Sequence, residues 1–134
     1  MKALTIKQPW AHLITIGRKT IETRTWYSSY RGPLAIHAGR SGDWMAMGFL
    51  ASHRPDLVPT DDYAKGVITA TADMVDCRPL ATADEEAAVC ECDGLQGFVL
   101  ENIRRLDEPI PTRGQLGLWD VPPDVVERLL AATR

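Results

Sequence analysis

The sequence has few cysteines, no long apolar run and little net charge, and each shortage excludes a class of protein. Three cysteines among 134 residues are too few for a disulfide-dense scaffold, and the odd number favours reduced thiols and a cytoplasmic location. No segment approaches the roughly 18 consecutive apolar residues of a membrane-spanning helix, and the first residues lack a secretory signal, so we expect no membrane partner. Hydrophobic residues at 45% and charged residues at 25% are ordinary globular values. The length fits one domain over residues 1–134.

Common catalytic and metal-binding motifs are also missing. The chain contains no Walker loop, no GxGxxG, no GxSxG and no HExxH. Cys90 and Cys92 form a CxC pair with Cys77 upstream, and three thiolates could hold zinc with one further ligand. No second cysteine pair supplies that ligand, and the three histidines lie in a different part of the chain, so we expect neither a metal nor a cofactor. The sequence leaves open the role of these thiols and the oligomeric state, monomer or dimer.

The small net charge of −3 conceals two halves of opposite sign. Residues 1–54 carry eight basic and two acidic side chains, a net charge of +6, whereas residues 55–134 carry seven basic and sixteen acidic ones, a net charge of −9. A basic half favours an anionic ligand such as a nucleic acid, although segregation of charge on a small globule by chance is an equal alternative. The acidic half would repel a long duplex, so a small ligand or a short single strand fits better.

Hydrophobic periodicity predicts six strands and three helices. Alternation of apolar and polar residues predicts strands over residues 3–7, 20–26, 34–38, 66–77, 97–106 and 113–121. Helices are expected from Pro9 to a left-handed cap at Gly17, over residues 41–52, and after Pro122, where the buried stripe is Val125, Val126, Leu129 and Leu130. The acidic segment 81–94 is expected as an exposed loop or short helix. Because helices do not alternate regularly with strands, we expect an α+β fold, a small mixed or antiparallel β-barrel, and not a doubly wound parallel sheet.

Candidate binding residues are concentrated between positions 7 and 40. Strand alternation places Glu22, Arg24 and Trp26 on one face of the second strand, and Lys19 lies at the turn into it. Cations for phosphate, aromatic planes for stacking and a carboxylate for base edges are what a site for an unpaired nucleotide needs. The remaining candidates lie nearby in the sequence: Lys7, Trp10, Arg31 and His37.

A structural role is the alternative for several of these residues. Trp10 has helical spacing with Leu13 and Ile14, which is typical of a core residue. Glu22 and Arg24 would also form a solvated ion pair on a strand face. His37, next to a core strand, is compatible with a structural histidine whose ring nitrogens are both hydrogen-bonded.

Three ordered segments resemble the ASCH domain (activating-signal-cointegrator homology). They are LTIKQPWA at 4–11, GRKTIETR at 17–24 and YRGPLAIHA at 30–38, and the middle one matches the family's GxKxxExR pattern. The resemblance extends over about residues 3–121. It implies a PUA-like fold, a small mixed or antiparallel β-barrel of about five or six strands flanked by about three helices, with a cleft beside the barrel. It also implies binding of single-stranded RNA or DNA, or of a modified nucleotide, in that cleft by Lys7, Trp10, Lys19, Glu22, Arg24, Trp26, Arg31 and His37.

The resemblance leaves an enzymatic alternative open. One branch of the family is similar to small amidohydrolases that act on acylated cytidine, with a threonine nucleophile three residues after the motif lysine. This chain has Glu22 at that position after Lys19. The alternative is therefore a small hydrolase of a modified nucleoside or of RNA, with Lys19 and Glu22 as an acid–base pair. A third hypothesis is a protein-interaction module that uses the acidic segment 81–94.

Overall fold

The computed structural model describes residues 1–133, which form six strands and four α-helices. The strands are β1 (Lys2–Gln8), β2 (Ile21–Arg24), β3 (Gly32–Gly42), β4 (Val67–Pro79), β5 (Gln96–Pro111) and β6 (Leu118–Asp120). The helices are α1 (Trp10–Thr15), α2 (Trp44–His53), α3 (Glu85–Ala88) and α4 (Pro123–Ala132). Short 3₁₀ turns precede β4 at Pro55–Leu57 and α3 at Thr82–Asp84. The predicted α+β class and the number of strands are confirmed, and α3 adds a fourth helix.

All six strands belong to one sheet in the order β2-β5-β4-β3-β1-β6. Only β1 and β3 are parallel, and every other neighbouring pair is antiparallel. Within residues 1–133 the edge strands β2 and β6 do not pair with each other, so the expected barrel is an open sheet. Three register shifts between β4 and β5 interrupt their long ladder, and irregularities of this kind bend a sheet and increase its twist.

A side-chain hydrogen bond connects strand β2, at one edge of the sheet, with strand β1 near the other edge. The Arg24 guanidinium, at the end of edge strand β2, donates a hydrogen bond through Nη2 to the backbone carbonyl of Thr5 on β1, 3.0 Å away. A backbone acceptor near one edge of the sheet is therefore satisfied by an arginine from the other edge. This contact brings the GxKxxExR segment beside β1, where the candidate site is built.

The two larger of four hydrophobic clusters contain most of the buried apolar residues in the described part of the chain. The first includes Leu34, Ile36 and Ala38, which share one face of β3 as the alternation predicted. The second lies under α4, and it includes Trp119 and Leu129. The predicted stripe of α4 is correct at its buried residues Val125 and Leu129, but Leu130 is 51% exposed. Consecutive residues of a helix point in different directions, so Leu130 lies outside the buried stripe that contains Leu129. The prediction that Leu130 is buried is therefore wrong.

Helix α2 and the last strand begin later than the sequence predicts. Helix α2 begins at Trp44 because β3 continues to Gly42 and the Asp43 side chain caps the helix by accepting from the Ala46 amide at 3.1 Å. The last strand is much shorter than 113–121, because the chain passes through a loop and a left-handed residue at Gly117 before pairing with β1. The expected left-handed cap at Gly17 is present, with φ +80°.

We predict that Gly17→Val lowers the free energy of unfolding by about 1–3 kcal/mol, because a β-branched residue is strained at positive φ. Gly48→Ala is the matched control. Gly48 lies in helix α2 with open space around its Cα, so alanine should stabilise the protein by up to about 1 kcal/mol. Urea unfolding of both variants checks this. An unchanged Gly17→Val would show that no left-handed cap ends this helix.

Candidate functional site

A network of three charged side chains, two of them buried and the third partly buried, lies at the centre of the candidate site and is called the buried network. Glu22 is buried, and its Oε2 accepts a hydrogen bond from Arg24 Nη2 at 2.9 Å. Its Oε1 lies 3.7 Å from Lys19 Nζ, which is an ion pair without a direct hydrogen bond. Oε1 also accepts from the Thr23 amide at 3.2 Å. One carboxylate therefore faces two cations, and the network keeps one net positive charge.

Lys19 is enclosed to an unusual degree for a lysine, with 1% of the residue exposed. Its ammonium donates to the backbone carbonyl of Ala88 at the end of α3 and lies 5.1 Å from the centre of the Trp10 ring. Burial lowers the pKa of Lys19 from its ordinary value, and the nearby Glu22 carboxylate opposes that shift. Because burial disfavours the charged form, each of these contacts is needed to hold the ammonium inside the protein.

The acidic segment 81–94 packs against this network, so of the two alternatives expected for it the short helix is correct, as α3, and the exposed loop is wrong. Besides the contact from Lys19, the Ala87 carbonyl accepts from the Thr20 amide at 2.9 Å, and the Glu86 carbonyl accepts from Arg18 Nη1 at 3.1 Å. Ala88 and Cys92 are buried in a cluster with Ile21 and Leu80. Burial raises the pKa of the Cys92 thiol, as for a packed thiol.

Glu22 and Arg24 form part of the wall of a cavity of about 680 Å³, which we call the tryptophan cavity. This volume is within the range of roughly 300–1,000 Å³ that small-molecule pockets occupy. The other predicted residues that line it are Lys7, Trp10 and Trp26. Its remaining wall comes from Thr5, Ile6, Thr23, Thr25, Gly39, Arg40, Ser41, Asp43, Cys90, Gln115, Leu116 and Gly117.

The two tryptophans of this cavity are half-buried and held by packing. Trp26 meets Phe98 edge to face, with ring centres 5.0 Å apart. Trp10 packs against the first core cluster and carries the Lys19 ammonium over its ring. Both residues are thus core residues on one side and cavity walls on the other. Trp10 is therefore both a core residue and an aromatic wall of the cavity, which were the two alternatives for it from the sequence.

Unpaired cations lie at the rim of the tryptophan cavity. Lys7 and Arg40 are exposed, and within residues 1–133 neither has an ion-pair partner. The buried Nε of Arg24 likewise has no hydrogen-bond partner in the described part of the chain. An orphaned buried donor of this kind costs roughly 1–3 kcal/mol, and a ligand that accepts its hydrogen bond would remove that cost.

His37 occupies a different place from the other predicted residues. It is buried, and Nε2 donates to the Thr112 carbonyl at 2.8 Å, so Nδ1 is the acceptor for the Thr5 hydroxyl at 3.1 Å. Thr5 in turn accepts from Trp119 Nε1 at 3.1 Å. Burial lowers the pKa of His37, although its bond to Thr112 opposes the shift. With both nitrogens satisfied, His37 links β1, β3, β6 and the loop after β5.

Arg31 is the second predicted residue that the structure leaves apart from the tryptophan cavity. Its guanidinium donates to the carbonyls of Ser28 and Tyr30 and lies 3.6 Å from Asp76 on β4. These contacts turn it away from the cavity. Lys19 belongs to the same neighbourhood but lies behind Glu22, since the ammonium is enclosed and does not line the wall.

Sequence reasoning missed Arg40, Cys90 and the loop 115–117 as cavity residues. Arg40 follows the predicted strand 34–38, and only the continuation of β3 to Gly42 carries it to the rim. Cys90 Sγ lies 3.9 Å from the Thr23 hydroxyl, a contact that depends on the packing of segment 81–94. No signal in the sequence joined these positions. Within residues 1–133 no cluster of three or more His, Cys, Asp or Glu side chains could hold a metal ion, and none of the described helices is long and apolar enough to cross a membrane.

Comparisons with known proteins agree with the fold. The family model of the ASCH domain matches residues 4–110. The chain is 28% identical over 124 residues to Activating signal cointegrator 1 of Mus musculus and 27% identical to that of Homo sapiens, matching 87% of this chain in each case. It spans 21% of the length of these relatives. The crystal structure of ASCH from Zymomonas mobilis superposes with a TM-score of 0.59 at 12% identity, covering 97% of this chain and 93% of that one. This similarity confirms the predicted PUA-like fold.

We predict that Lys19→Met lowers the free energy of unfolding by about 3 kcal/mol, because it leaves the Ala88 carbonyl without its donor and Glu22 with one cation fewer. Lys2→Met is the matched control. Lys2 pairs at 2.8 Å with Asp120, whose side chain is 83% exposed, and we expect a change below about 1 kcal/mol.

Chemical denaturation of both variants measures the difference. Glu22→Gln should cost less in the Lys19→Met background than in the wild-type protein, because the contact of Glu22 with Lys19 is already lost and only its contact with Arg24 remains to be removed. Equal losses in the Lys19 and Lys2 variants would contradict the importance of the buried network.

Proposed function

The chain belongs to the ASCH domain family, and from this membership we propose that its tryptophan cavity binds single-stranded RNA or DNA, or a modified nucleotide. One observation carries the proposal. A single cavity combines two tryptophan rings, a carboxylate held between two cations, and exposed cations that have no ion-pair partner among residues 1–133. Stacking, base-edge recognition and phosphate attraction are thereby available within one concave wall.

The tryptophan pair supports binding of an unstacked base. Base–aromatic stacking contributes roughly 1–3 kcal/mol per base and tolerates different bases. Because Trp10 and Trp26 are fixed by core contacts, stacking on them requires little ordering of protein side chains.

The Glu22 carboxylate supports recognition of a base edge. A carboxylate offers about four lone-pair positions, and within residues 1–133 two donors hydrogen-bond to this one, the Thr23 amide and Arg24 Nη2, while Lys19 Nζ stays 3.7 Å from Oε1. An exocyclic amino group, as in cytosine, is a suitable donor for the remaining capacity. The neighbouring Arg24 guanidinium offers donors to a ring nitrogen or carbonyl beside that amino group.

The charge distribution supports a short single strand. Lys7, Arg40 and the net positive charge of the buried network attract phosphate at the cavity. The −9 charge of residues 55–134 opposes a long duplex lying across the molecule.

The hydrolase alternative, acting on acylated cytidine or RNA, is less well supported. It requires Lys19 and Glu22 to exchange protons with a bound substrate. Glu22 lines the cavity, but the Lys19 ammonium is enclosed and already donates to the Ala88 carbonyl. Were the protein an enzyme, Glu22 would be the catalytic residue of the pair and Lys19 a positioning residue.

We predict that the protein binds single-stranded hexamers, with an affinity that falls steeply as salt increases. Lys7→Gln should weaken this binding and reduce the salt slope by about one, because one phosphate contact is lost. Lys2→Gln is the matched control, since Lys2 lies at the other end of the same strand. Fluorescence anisotropy with labelled RNA hexamers of A, C and U and labelled DNA hexamers of A, C and T measures both effects.

The same incubations, followed by mass spectrometry with N4-acetylcytidine included, test for turnover. Product formation that Glu22→Gln abolishes would favour the hydrolase. Absence of binding by all hexamers and nucleosides would contradict the proposed function.

A further inference from the structure

A second cavity of about 760 Å³ adjoins the tryptophan cavity, and we call it the histidine cavity. It is bounded by His37, Gly66 and the chain segment 111–116. The two cavities share a wall made of Thr5, Gly39, Arg40, Gln115 and Leu116. The proposed function uses only the tryptophan cavity, which leaves the neighbouring space without a role.

The shared wall is fixed by close backbone packing. A Cβ on Gly114 would lie 2.8 Å from both His37 Cε1 and the Thr5 hydroxyl, so the loop lies directly on these side chains. A Cβ on Gly39 would lie 3.0 Å from Thr5 Cγ2. Hydrogen bonds from Thr5 to His37 and from Trp119 to Thr5 fix the Thr5 side chain in this shared wall. The two cavities therefore lie side by side, and we call the residues common to both, which include Thr5, Gly39 and Arg40, the ridge.

Arg40 is positioned on this ridge with its donors free. Its guanidinium packs over Gly66, where a Cβ would lie 3.0 Å from Nη2, 3.1 Å from Cζ and 3.4 Å from Nε. Arg40 is exposed, and within residues 1–133 it makes no salt bridge. An arginine held by packing presents a planar fork that suits bidentate contact with phosphate.

The charged residues of the histidine cavity also favour a phosphate group. Its described wall contains the cations Arg40 and Arg113 and no carboxylate. The tryptophan cavity, in contrast, includes the carboxylates Glu22 and Asp43. An anionic group is therefore favoured at the ridge and beyond it, whereas a base amino group is favoured on the Glu22 side.

We infer that the two cavities hold successive nucleotides of a single strand, with Arg40 binding the phosphodiester that joins them. This inference rests on the proposed function and narrows its ligand to an oligonucleotide of at least two nucleotides. The base in the tryptophan cavity is then separated from the next nucleotide by Arg40, an arrangement that a stacked duplex resists and a single strand permits.

A double-mutant cycle between Arg40 and the phosphate charge tests the inference. The ligands are cytidine, the dinucleotide CpC, and CpC whose linkage is an uncharged methylphosphonate. The wild-type protein should bind CpC at least about fivefold more tightly than the uncharged analogue, as expected for a charge-assisted hydrogen bond. In Arg40→Gln that ratio should fall toward one, because the charged and the uncharged linkage then meet the same neutral side chain on the ridge.

Arg128→Gln serves as the matched control, because Arg128 is exposed on α4 and lines neither cavity. It should keep the wild-type ratio. A wild-type ratio in Arg40→Gln, or equal affinity of the wild-type protein for cytidine and CpC, would overturn the two-nucleotide inference and leave the proposed function standing. Failure to bind cytidine, CpC and the hexamers alike would overturn the proposed function, and this inference with it.

Discussion

The buried ammonium of Lys19 is the constraint on which the rest of the site depends. A charge with 1% exposure must be compensated by its surroundings, and each compensating group comes from a different element. Glu22 is on β2, the Ala88 carbonyl ends α3, and the Trp10 ring begins α1. Helix, strand and acidic segment are therefore brought to one point by a single side chain.

The same network connects the fold to the cavity. Glu22 is shared between Lys19 inside and Arg24 outside, and Arg24 continues to the Thr5 carbonyl across the opening of the sheet. Thr5 then joins His37 and so the wall of the second cavity. Side-chain contacts thus connect the two ends of the open sheet, and Thr5, which takes part in them, lines both cavities.

Local sequence pattern was sufficient where local physics decides the structure. Alternation located the β3 core and the face of Glu22, and Gly17 marked a helix end. The sequence pattern failed where contacts between distant residues determine the structure. Strand β3 continues to Gly42 because Gly42 pairs with Gln8 on β1. The acidic segment forms α3 and packs on β2 and the Lys19 ammonium. Arg40 was missed because the sequence did not predict that β3 continues to Gly42. Nothing within the turn after β2 indicated the Asp76 contact that places Arg31 elsewhere.

The central claim is that a nucleotide enters the tryptophan cavity, and the chain's four tryptophans test it directly. Each indole N–H gives one signal in a ¹⁵N–¹H spectrum, and Trp44 is 77% exposed on α2, outside the wall of either cavity. Titration with a cytidine hexamer should shift the signals of Trp10 and Trp26 and leave that of Trp44 in place. A shift confined to Trp44, or unchanged signals at Trp10 and Trp26 under saturating ligand, would contradict the account.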